Sequence, residues 1–409
     1  MLGLTLEGGG AKGAYQIGAW KAFRELNIEF DGISGTSVGA LNGALMIQED
    51  FELAYEIWNN MSPTKIMDVD DKIYELIADN ELSPNSIQAL YGEVKRVVKG
   101  FGIDPKPLRK LVNKCVKEDY IRKSNKHFGF VTVCLTERRP MEIYKEDVPL
   151  GKMADYLMAS SYLPIFKSKK LDGKVFLDGG FYNNLPLEML YKKGCKQIVA
   201  VRLLSKGRIK KVDYPDLEVI YITPNQPLGG IMEFSRDRAR QNILLGYFDT
   251  FKALKGLKGR NYYINSGIDD TTALRFFMGL KEDSIKKLGD LFNLNQGLPI
   301  NRLILEGIIP KFITLMELDK NCTYGDVLLG LVEAMAGNSN INPFEIYDVN
   351  YLLQKVITRR DLTKNDENPD LLGKFMINEI VLRLDKEKLL KEALKVILIY
   401  NENLNLTNY

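Results

Sequence analysis

The sequence is poor in histidine and cysteine, and it lacks long apolar runs. Its 409 residues include one histidine, His127, and four widely separated cysteines: Cys115, Cys134, Cys195 and Cys322. There is no CxxC pair, no HExxH and no EF-hand pattern, so we expect neither a disulfide framework nor a metal site. No window approaches the roughly 18 apolar residues of a membrane-spanning helix. These absences predict reduced thiols and a cytoplasmic location.

The charge is nearly balanced, and its local clusters are basic. A net charge of +3 is too small to argue for binding to nucleic acid. Lysines are dense in Lys106–Lys126 and in Lys206–Lys211, where solvated faces are the simpler interpretation and contact with an anionic membrane is the alternative. The apolar start, Met1–Leu6, is too short for a signal peptide. Any contact with lipid is therefore expected to be peripheral.

Hydrophobic patterning predicts an α/β region of residues 1–267. A strand at Leu2–Leu6 and a helix at Val38–Ile47 are typical of it, and residues 60–125 read as a helix-biased insertion lying over the sheet. The helix Ser235–Gly256 is predicted to bury Leu244, Phe248 and Phe251. Further strands are predicted at Phe30–Ser34, Phe128–Leu135, Met141–Tyr144, Val175–Leu177, Gln197–Leu203 and Leu217–Ile222.

The remaining residues, 268–409, have a different character. Their segments carry helical patterns, and no further alternation of strands and helices is visible. We therefore expect an added helical C-terminal region, whose role the sequence does not indicate.

A glycine-rich turn, Glu7–Gly13 (EGGGAKG), follows the first predicted strand. It satisfies GxGxxG, and Asp31 lies near the offset of the ribose-binding acid in dinucleotide folds. Ala14 and Tyr15 exclude a phosphate loop, because that motif requires Lys and Ser or Thr there. Such a turn at a helix N-terminus can direct N–H groups at a phosphate or equally at an oxyanion.

A second turn, Gly35–Gly39 (GTSVG), has the GxSxG pattern of a nucleophile elbow. It lies between a short predicted strand and a helix, which is the context that such an elbow needs. Ser37 would occupy the strained position, and small residues on either side are required for the tight turn. This pattern favours Ser37 as a nucleophile, whereas a dinucleotide fold has no need of it.

A serine nucleophile needs an adjacent base, and the single histidine is poorly suited to be one. His127 lies among lysines at a predicted strand start, and no histidine follows it, which excludes the order Ser, acid, His. Asp178, followed by two glycines, could present its carboxylate at a strand tip. From these residues alone, a plain turn at Asp178 is an equal alternative.

Four blocks in this order resemble the patatin-like phospholipases. They are Gly8–Gly13, Gly35–Gly39, Ala159–Phe166 (ASSYLPIF) and Asp178–Pro186 (DGGFYNNLP). The resemblance covers residues 2 to about 265 and implies a three-layer α/β/α core. It also implies hydrolysis of lipid acyl esters without a cofactor.

Carried over by position, the resemblance implies that Ser37 is the nucleophile and Asp178 its base. The N–H groups of Gly9 and Gly10 would form an oxyanion hole, with Gly8 and Val38 as further contributors. One departure is Glu7, because many members carry Asp before the glycines.

The expected substrate is a lipid or phospholipid ester. Two alternatives remain at this stage. An acyltransferase would use the same site with an alcohol acceptor, and a nucleotide-binding module would be built on the GxGxxG turn.

Overall fold

The computed structural model describes residues 1–68, 74–75, 103–167, 170–363 and 379–401. Residues 69–73 and 76–102, about half of the predicted insertion at 60–125, therefore lie outside the described residues. The chain divides into two compact units, Met1–Lys255 and Gly256–Tyr409. The sequence pattern instead predicted that the α/β region ends at residue 267 and that the helical region begins after it. The intervening segment contains a strand that pairs with residues 346–348, a long-range contact that no local pattern reveals.

The first unit is built on one seven-stranded sheet. Its order is β4–β3–β2–β1–β6–β7, with β5 pairing to β3 beside β2. The pairs within β3–β2–β1–β6–β7 are parallel, whereas β4 and β5 run antiparallel to β3. The strands are β1 (Leu2–Leu6), β2 (Gly32–Thr36), β3 (His127–Cys134), β4 (Arg139–Tyr144), β5 (Phe176–Asp178), β6 (Gln197–Val201) and β7 (Glu218–Ile222).

Helices cover both faces of this sheet, as predicted for a three-layer α/β/α core. A Cβ atom on Gly3 of β1 would lie 2.9 Å from Leu190, which is on one face, whereas Gly43 lies against Phe128 on the other. The helices are α1 (Ala14–Glu25), α2 (Val38–Ile47), α3 (Phe51–Asn59), α4 (Lys106–Cys115), α5 (Glu118–Lys123), α6 (Met153–Ser160), α7 (Leu187–Lys192) and α8 (Arg236–Lys255).

The predicted elements of this unit are largely confirmed. β1 and α2 have the predicted bounds, and the hairpin of β3 and β4 is present. The second strand begins two residues later than predicted, at Gly32. The reason is that Phe30 packs edge-on against Phe23, with ring centroids 5.0 Å apart, instead of joining the sheet.

Helix α8 buries only part of the predicted face. Phe251 is buried as predicted, but Leu244 is 43% exposed and Phe248 is half-buried. The buried face also carries Gly246, which meets α1 so closely that a Cβ atom would lie 1.9 Å from the carbonyl oxygen of Tyr15. Backbone contact through a glycine, and not an apolar stripe, therefore selects the face that packs on α1.

The second unit is mainly helical around its own apolar core. Tyr262, Phe276, Phe277 and Phe292 pack in that core. The unit also contains two strands, β8 (Tyr263–Asn265) and β9 (Ile346–Asp348), neither of which was predicted. Its helices are α9 (Asp270–Met278), α10 (Glu282–Leu291), α11 (Ile300–Arg302, continued by a π turn), α12 (Ile309–Leu315), α13 (Tyr324–Asn338), α14 (Val349–Thr363) and α15 (Glu379–Tyr400).

Two expectations about the whole chain can be compared with these coordinates. All four cysteines are free thiols, so the expectation of unpaired cysteines is confirmed. Within the described ranges, no helix combines the length and the apolar character needed to cross a bilayer.

Candidate active site

The sheet brings two strand ends together beside β3. Thr36, the last residue of β2, pairs with Val131 of β3, and Asp178, the last residue of β5, pairs with the adjacent Thr132. β2 runs parallel to β3 and β5 runs antiparallel to it, so the two strands approach each other end to end. Ser37, which follows Thr36, and Asp178 therefore meet although 140 residues separate them along the chain.

Ser37 lies on a strained turn between β2 and α2. Its φ of 55° and ψ of −124° are unusual for a residue with a side chain. A Cβ atom on Gly35 would lie 2.4 Å from the carbonyl group of Gly39, and one on Gly39 would lie 2.3 Å from the carbonyl oxygen of Leu6. Both flanking glycines are therefore required by space, as expected of a nucleophile elbow.

The elbow is supported by Ser160, which belongs to the third block, Ala159–Phe166, and had no predicted role. The Ser37 N–H donates to Ser160 Oγ at 3.0 Å, and that hydroxyl donates to the carbonyl oxygen of Val131 at 2.6 Å. Ser160 thus ties the strained turn to β3. The small residues of the third block were a signal of such close packing.

The carboxyl group of Asp178 is buried, and its proton affinity is higher than that of an ordinary aspartate. Burial raises its pKa from 3.8 to about 6, whereas the Ser37 hydroxyl and the Gly180 N–H act to lower it. Oδ1 accepts a hydrogen bond from that N–H at 2.8 Å. Oδ2 is buried without a hydrogen bond of regular geometry from any described group, so one oxygen remains able to accept a proton.

The glycine turn packs against the serine elbow. Gly10 has a φ of +55°, and a Cβ atom there would lie 2.2 Å from the carbonyl oxygen of Ile231. Among the described residues, no acceptor is bonded to the N–H groups of Gly9, Gly10 or Val38. Those three N–H groups remain available to a ligand.

The fourth predicted donor has another partner. The Gly8 N–H donates to the carbonyl oxygen of Asn184 at 3.1 Å. The expectation that Gly8 contributes to an oxyanion hole is therefore not supported, because its hydrogen is already used. Asn184 Nδ2 also donates to the carbonyl oxygen of Gly8 at 3.1 Å, so the asparagine clamps the turn.

The Glu7 carboxylate connects the glycine turn to the segment that follows β6. Its carboxylate is fully buried and pairs with Arg202 Nε at 2.7 Å. It also accepts hydrogen bonds from the N–H groups of Leu203 at 2.8 Å and Ser205 at 3.2 Å. The longer side chain at this position thus holds the segment after β6 against the glycine turn. Arg202 was not predicted, because no local motif marks it.

The other candidate residues lie elsewhere. His127 begins β3, four residues before Val131, which places it roughly 13 Å along the strand from the Ser37 end. The predicted alternative of a dinucleotide site is contradicted by Asp31, because this residue precedes β2 and binds the N–H of Leu2 at the opposite end of the sheet from the glycine turn.

Two cavities meet at Ser37, and they differ in size. One, of about 500 Å³, contains both Ser37 and Asp178 and is bordered by the turn at 178–184 and the segment 205–208. The other, of about 90 Å³, is almost entirely apolar. Its lining includes Leu41, Leu45, Trp58, Leu108, Val112 and Phe166. Apolar surface predominates in both cavities, and the larger one also has polar and charged residues such as Asn184 and Arg208 in its lining.

Curated relatives match the part of the chain that carries this site. The chain is 25% identical over 215 residues to rat patatin-like phospholipase domain-containing protein 7 and 27% identical over 219 residues to the human domain-containing protein 6; each match covers 53% of this chain. It is 24% identical over 314 residues, 75% of this chain, to yeast lysophospholipase NTE1. The matches span 14% of the first two relatives and 17% of the third.

Two solved structures are also similar. VipD from Legionella pneumophila is 14% identical, with 100% of this chain and 93% of that chain covered and a TM-score of 0.40. The type III effector protein ExoU is 12% identical, with 89% and 74% covered and a TM-score of 0.34. Residues 4–191, which contain the glycine turn, Ser37 and Asp178, match the family model for patatin-like phospholipase. These residues are therefore similar to the patatin-like phospholipase family.

Proposed function

We propose that this protein hydrolyses lipid acyl esters, with Ser37 as the nucleophile and Asp178 as the general base. The observation that carries the proposal is the meeting of a strained serine with a buried carboxyl group whose pKa is raised to about 6. Such a carboxylate is a far better proton acceptor than an ordinary aspartate and is still ionised at neutral pH. The family match supports the same reaction class.

In the first step, Ser37 Oγ attacks the acyl carbonyl carbon while its proton passes to Asp178. The carbonyl oxygen gains negative charge and is held by the N–H groups of Gly9, Gly10 and Val38, which have no acceptor among the described residues. In comparable enzymes, each such donor stabilises the transition state by about 2.7–4 kcal/mol. Asp178 then returns the proton to the leaving alcohol, and an acyl-serine remains.

In the second step, water replaces the alcohol. Asp178 accepts a proton from the water as its oxygen attacks the acyl-serine, and the proton returns to Ser37 Oγ as the fatty acid leaves. In this proposal the acyl chain enters the smaller cavity beside Leu41 and Leu45, and the rest of the lipid lies in the larger cavity. The mainly apolar lining of both cavities, with Arg208 bordering the larger one, supports a lipid substrate.

Fluorophosphonate labelling tests the nucleophile. We expect the probe to label the wild-type protein at one serine and to leave Ser37→Ala unlabelled, because Ser37 lies at an elbow beside N–H groups that have no acceptor among the described residues. Ser205 borders the same larger cavity, so Ser205→Ala is the matched control and should label normally. Full labelling of Ser37→Ala would refute the assignment. Mass spectrometry of the products from a mixed lipid panel then identifies the ester that is cleaved.

A further inference from the structure

Three large apolar side chains are exposed on the two segments that border the larger cavity, 178–184 and 204–209. Phe181 is 45% exposed, Leu204 is 52% exposed and Ile209 is 37% exposed. Phe181 itself lines the cavity, and the other two flank its lining residues 205–208. Single exposed apolar residues are common, but three around one opening form a patch that favours an apolar contact.

The two segments are joined, so these side chains are held in place. The Arg208 N–H donates to the carbonyl oxygen of Gly180 at 2.9 Å, and the Asn184 N–H donates to the carbonyl oxygen of Arg208 at 2.6 Å. Segment 203–205 is further fixed by its N–H groups on Glu7. The exposed side chains therefore project from a rigid backbone and cannot withdraw by a simple loop movement.

The exposed Leu204 has a strained backbone conformation. Its φ is 49°, in the left-handed region that Gly and Asn tolerate and that a leucine rarely adopts. Its N–H is bonded to Glu7 Oε2 at 3.3 Å, which helps to hold that conformation. A strained backbone that turns an apolar side chain towards solvent is an observation that points to function.

Basic residues accompany the apolar ones. Residues 204–212 contain four cations and no acidic residue, and the side chains of Arg208 and Lys211 are exposed. A surface of this kind complements anionic lipid headgroups, with the apolar side chains entering the boundary of the acyl region. A protein partner would need neither the cations nor their position around a lipid-binding cavity.

We propose that these five residues, Phe181, Leu204, Arg208, Ile209 and Lys211, form a docking rim that seats the cavity on an anionic lipid bilayer. The inference rests on the proposed function, because it presumes that the substrate lies in a membrane. It explains why apolar and basic side chains surround the opening through which a lipid would leave the bilayer.

Vesicle binding tests the docking rim in the full chain carrying Ser37→Ala, so that hydrolysis does not alter the vesicles. The vesicles contain equal parts of phosphatidylglycerol and phosphatidylcholine, or phosphatidylcholine alone. We expect Leu204→Asn with Ile209→Ser to weaken binding to the anionic vesicles about tenfold. Asn tolerates the left-handed backbone at 204, so this variant retains the local fold. Arg208→Gln with Lys211→Gln should weaken binding to anionic vesicles about fivefold for each cation removed and should reduce the preference for them, since two other cations remain in residues 204–212.

Matched controls come from elsewhere on the surface. Leu150→Ser removes an apolar side chain that is 82% exposed, and Lys123→Gln removes an exposed cation; both should bind as the parent does. Equal binding by the rim variants and the parent would overturn the docking rim. The proposed function fails separately, if the protein with Ser37 restored does not hydrolyse a soluble short-chain ester. Leu204→Asn with Ile209→Ser should hydrolyse that ester at the wild-type rate.

Discussion

At the scale of single residues, the site depends on how one carboxyl group is buried. Asp178 is 3% exposed, and its Oδ1 is occupied by the Gly180 N–H. The second oxygen has no regular partner among the described groups. Burial raises the pKa to about 6 because the charged form loses hydration. The same group is thus ionised at neutral pH and ready to take a proton.

Two substitutions distinguish aspartate from histidine as the base. Asp178→Asn keeps the shape and the acceptor for the Gly180 N–H but removes the basic oxygen. We expect it to lower kcat by roughly three orders of magnitude or more, approaching the effect of Ser37→Ala. His127→Ala, at the far end of β3, should retain activity within about twofold. The measurement is the initial rate on a soluble ester. Loss of turnover in folded His127→Ala with normal turnover in Asp178→Asn would refute the proposed dyad.

The pH profile tests the same group independently. A base must be deprotonated to act, so kcat/KM should fall as the pH drops through about 6, the pKa of Asp178. An imidazole titrates close to this value, so the profile of the wild-type protein alone is ambiguous. The decisive measurement is the profile of His127→Ala, which should keep the same acidic limb. Disappearance of that limb in His127→Ala would contradict our assignment.

At the scale of secondary-structure elements, close backbone contacts shape the core. Gly18 of α1 and Gly246 of α8 allow the two helices to touch, and neither position has room for a methyl group. This contact selects the buried face of α8, although part of the predicted apolar stripe lies outside it. Hydrophobic periodicity is therefore a weaker guide where small residues bring backbones together.

Gly18→Ala tests this contact. In an open helix, alanine would stabilise by up to about 1 kcal/mol. Here its Cβ would lie 1.9 Å from the carbonyl oxygen of Ile243, so the helices must separate and we expect a loss of about 2–4 kcal/mol in the free energy of unfolding. Gly337→Ala, in α13, is the matched control because nothing lies within 4 Å of its Cβ position. Urea denaturation measures both; a neutral or stabilising Gly18→Ala would show that the contact is unimportant.

At the scale of the whole molecule, the second unit contains a buried carboxylate that stabilises it. In the second unit, Glu333 is 7% exposed and accepts the N–H groups of Arg260, Asn261 and Tyr262 at 2.7–2.8 Å. This carboxylate fastens the segment that leads into β8. The contact lies within residues 256–409, whose role is not indicated by their sequence.

Glu333→Ala should destabilise this second unit. It leaves three backbone N–H groups without their acceptor, and each unsatisfied buried donor costs about 1–3 kcal/mol. We expect faster hydrogen exchange in residues 260–264 and in α13, with a decrease of at least about 2 kcal/mol in the free energy of unfolding. Glu333→Gln retains an acceptor oxygen and should lose less. Unchanged exchange in Glu333→Ala would show that these N–H groups have another way to be satisfied.

Local sequence was sufficient where a structure depends on neighbouring residues. The elbow at Ser37 follows from Gly35 and Gly39, which its tight turn requires, and α2 follows directly from it. The single histidine, His127, already excluded one catalytic order. The four ordered blocks also indicated the resemblance to the patatin-like phospholipases, which the match of residues 4–191 supports.

The tertiary structure decided everything that depends on pairing between distant segments. Only the antiparallel addition of β5 to β3 brings Asp178 to the end of β2, and only burial there raises its pKa to about 6. The hydrogen bond from the Gly8 N–H to the carbonyl oxygen of Asn184 could not be predicted from the sequence either, because Asn184 lies in a loop 176 residues away. Local patterns report the preferences of neighbouring residues, whereas burial and hydrogen-bond partners are set by which distant segments the fold packs together.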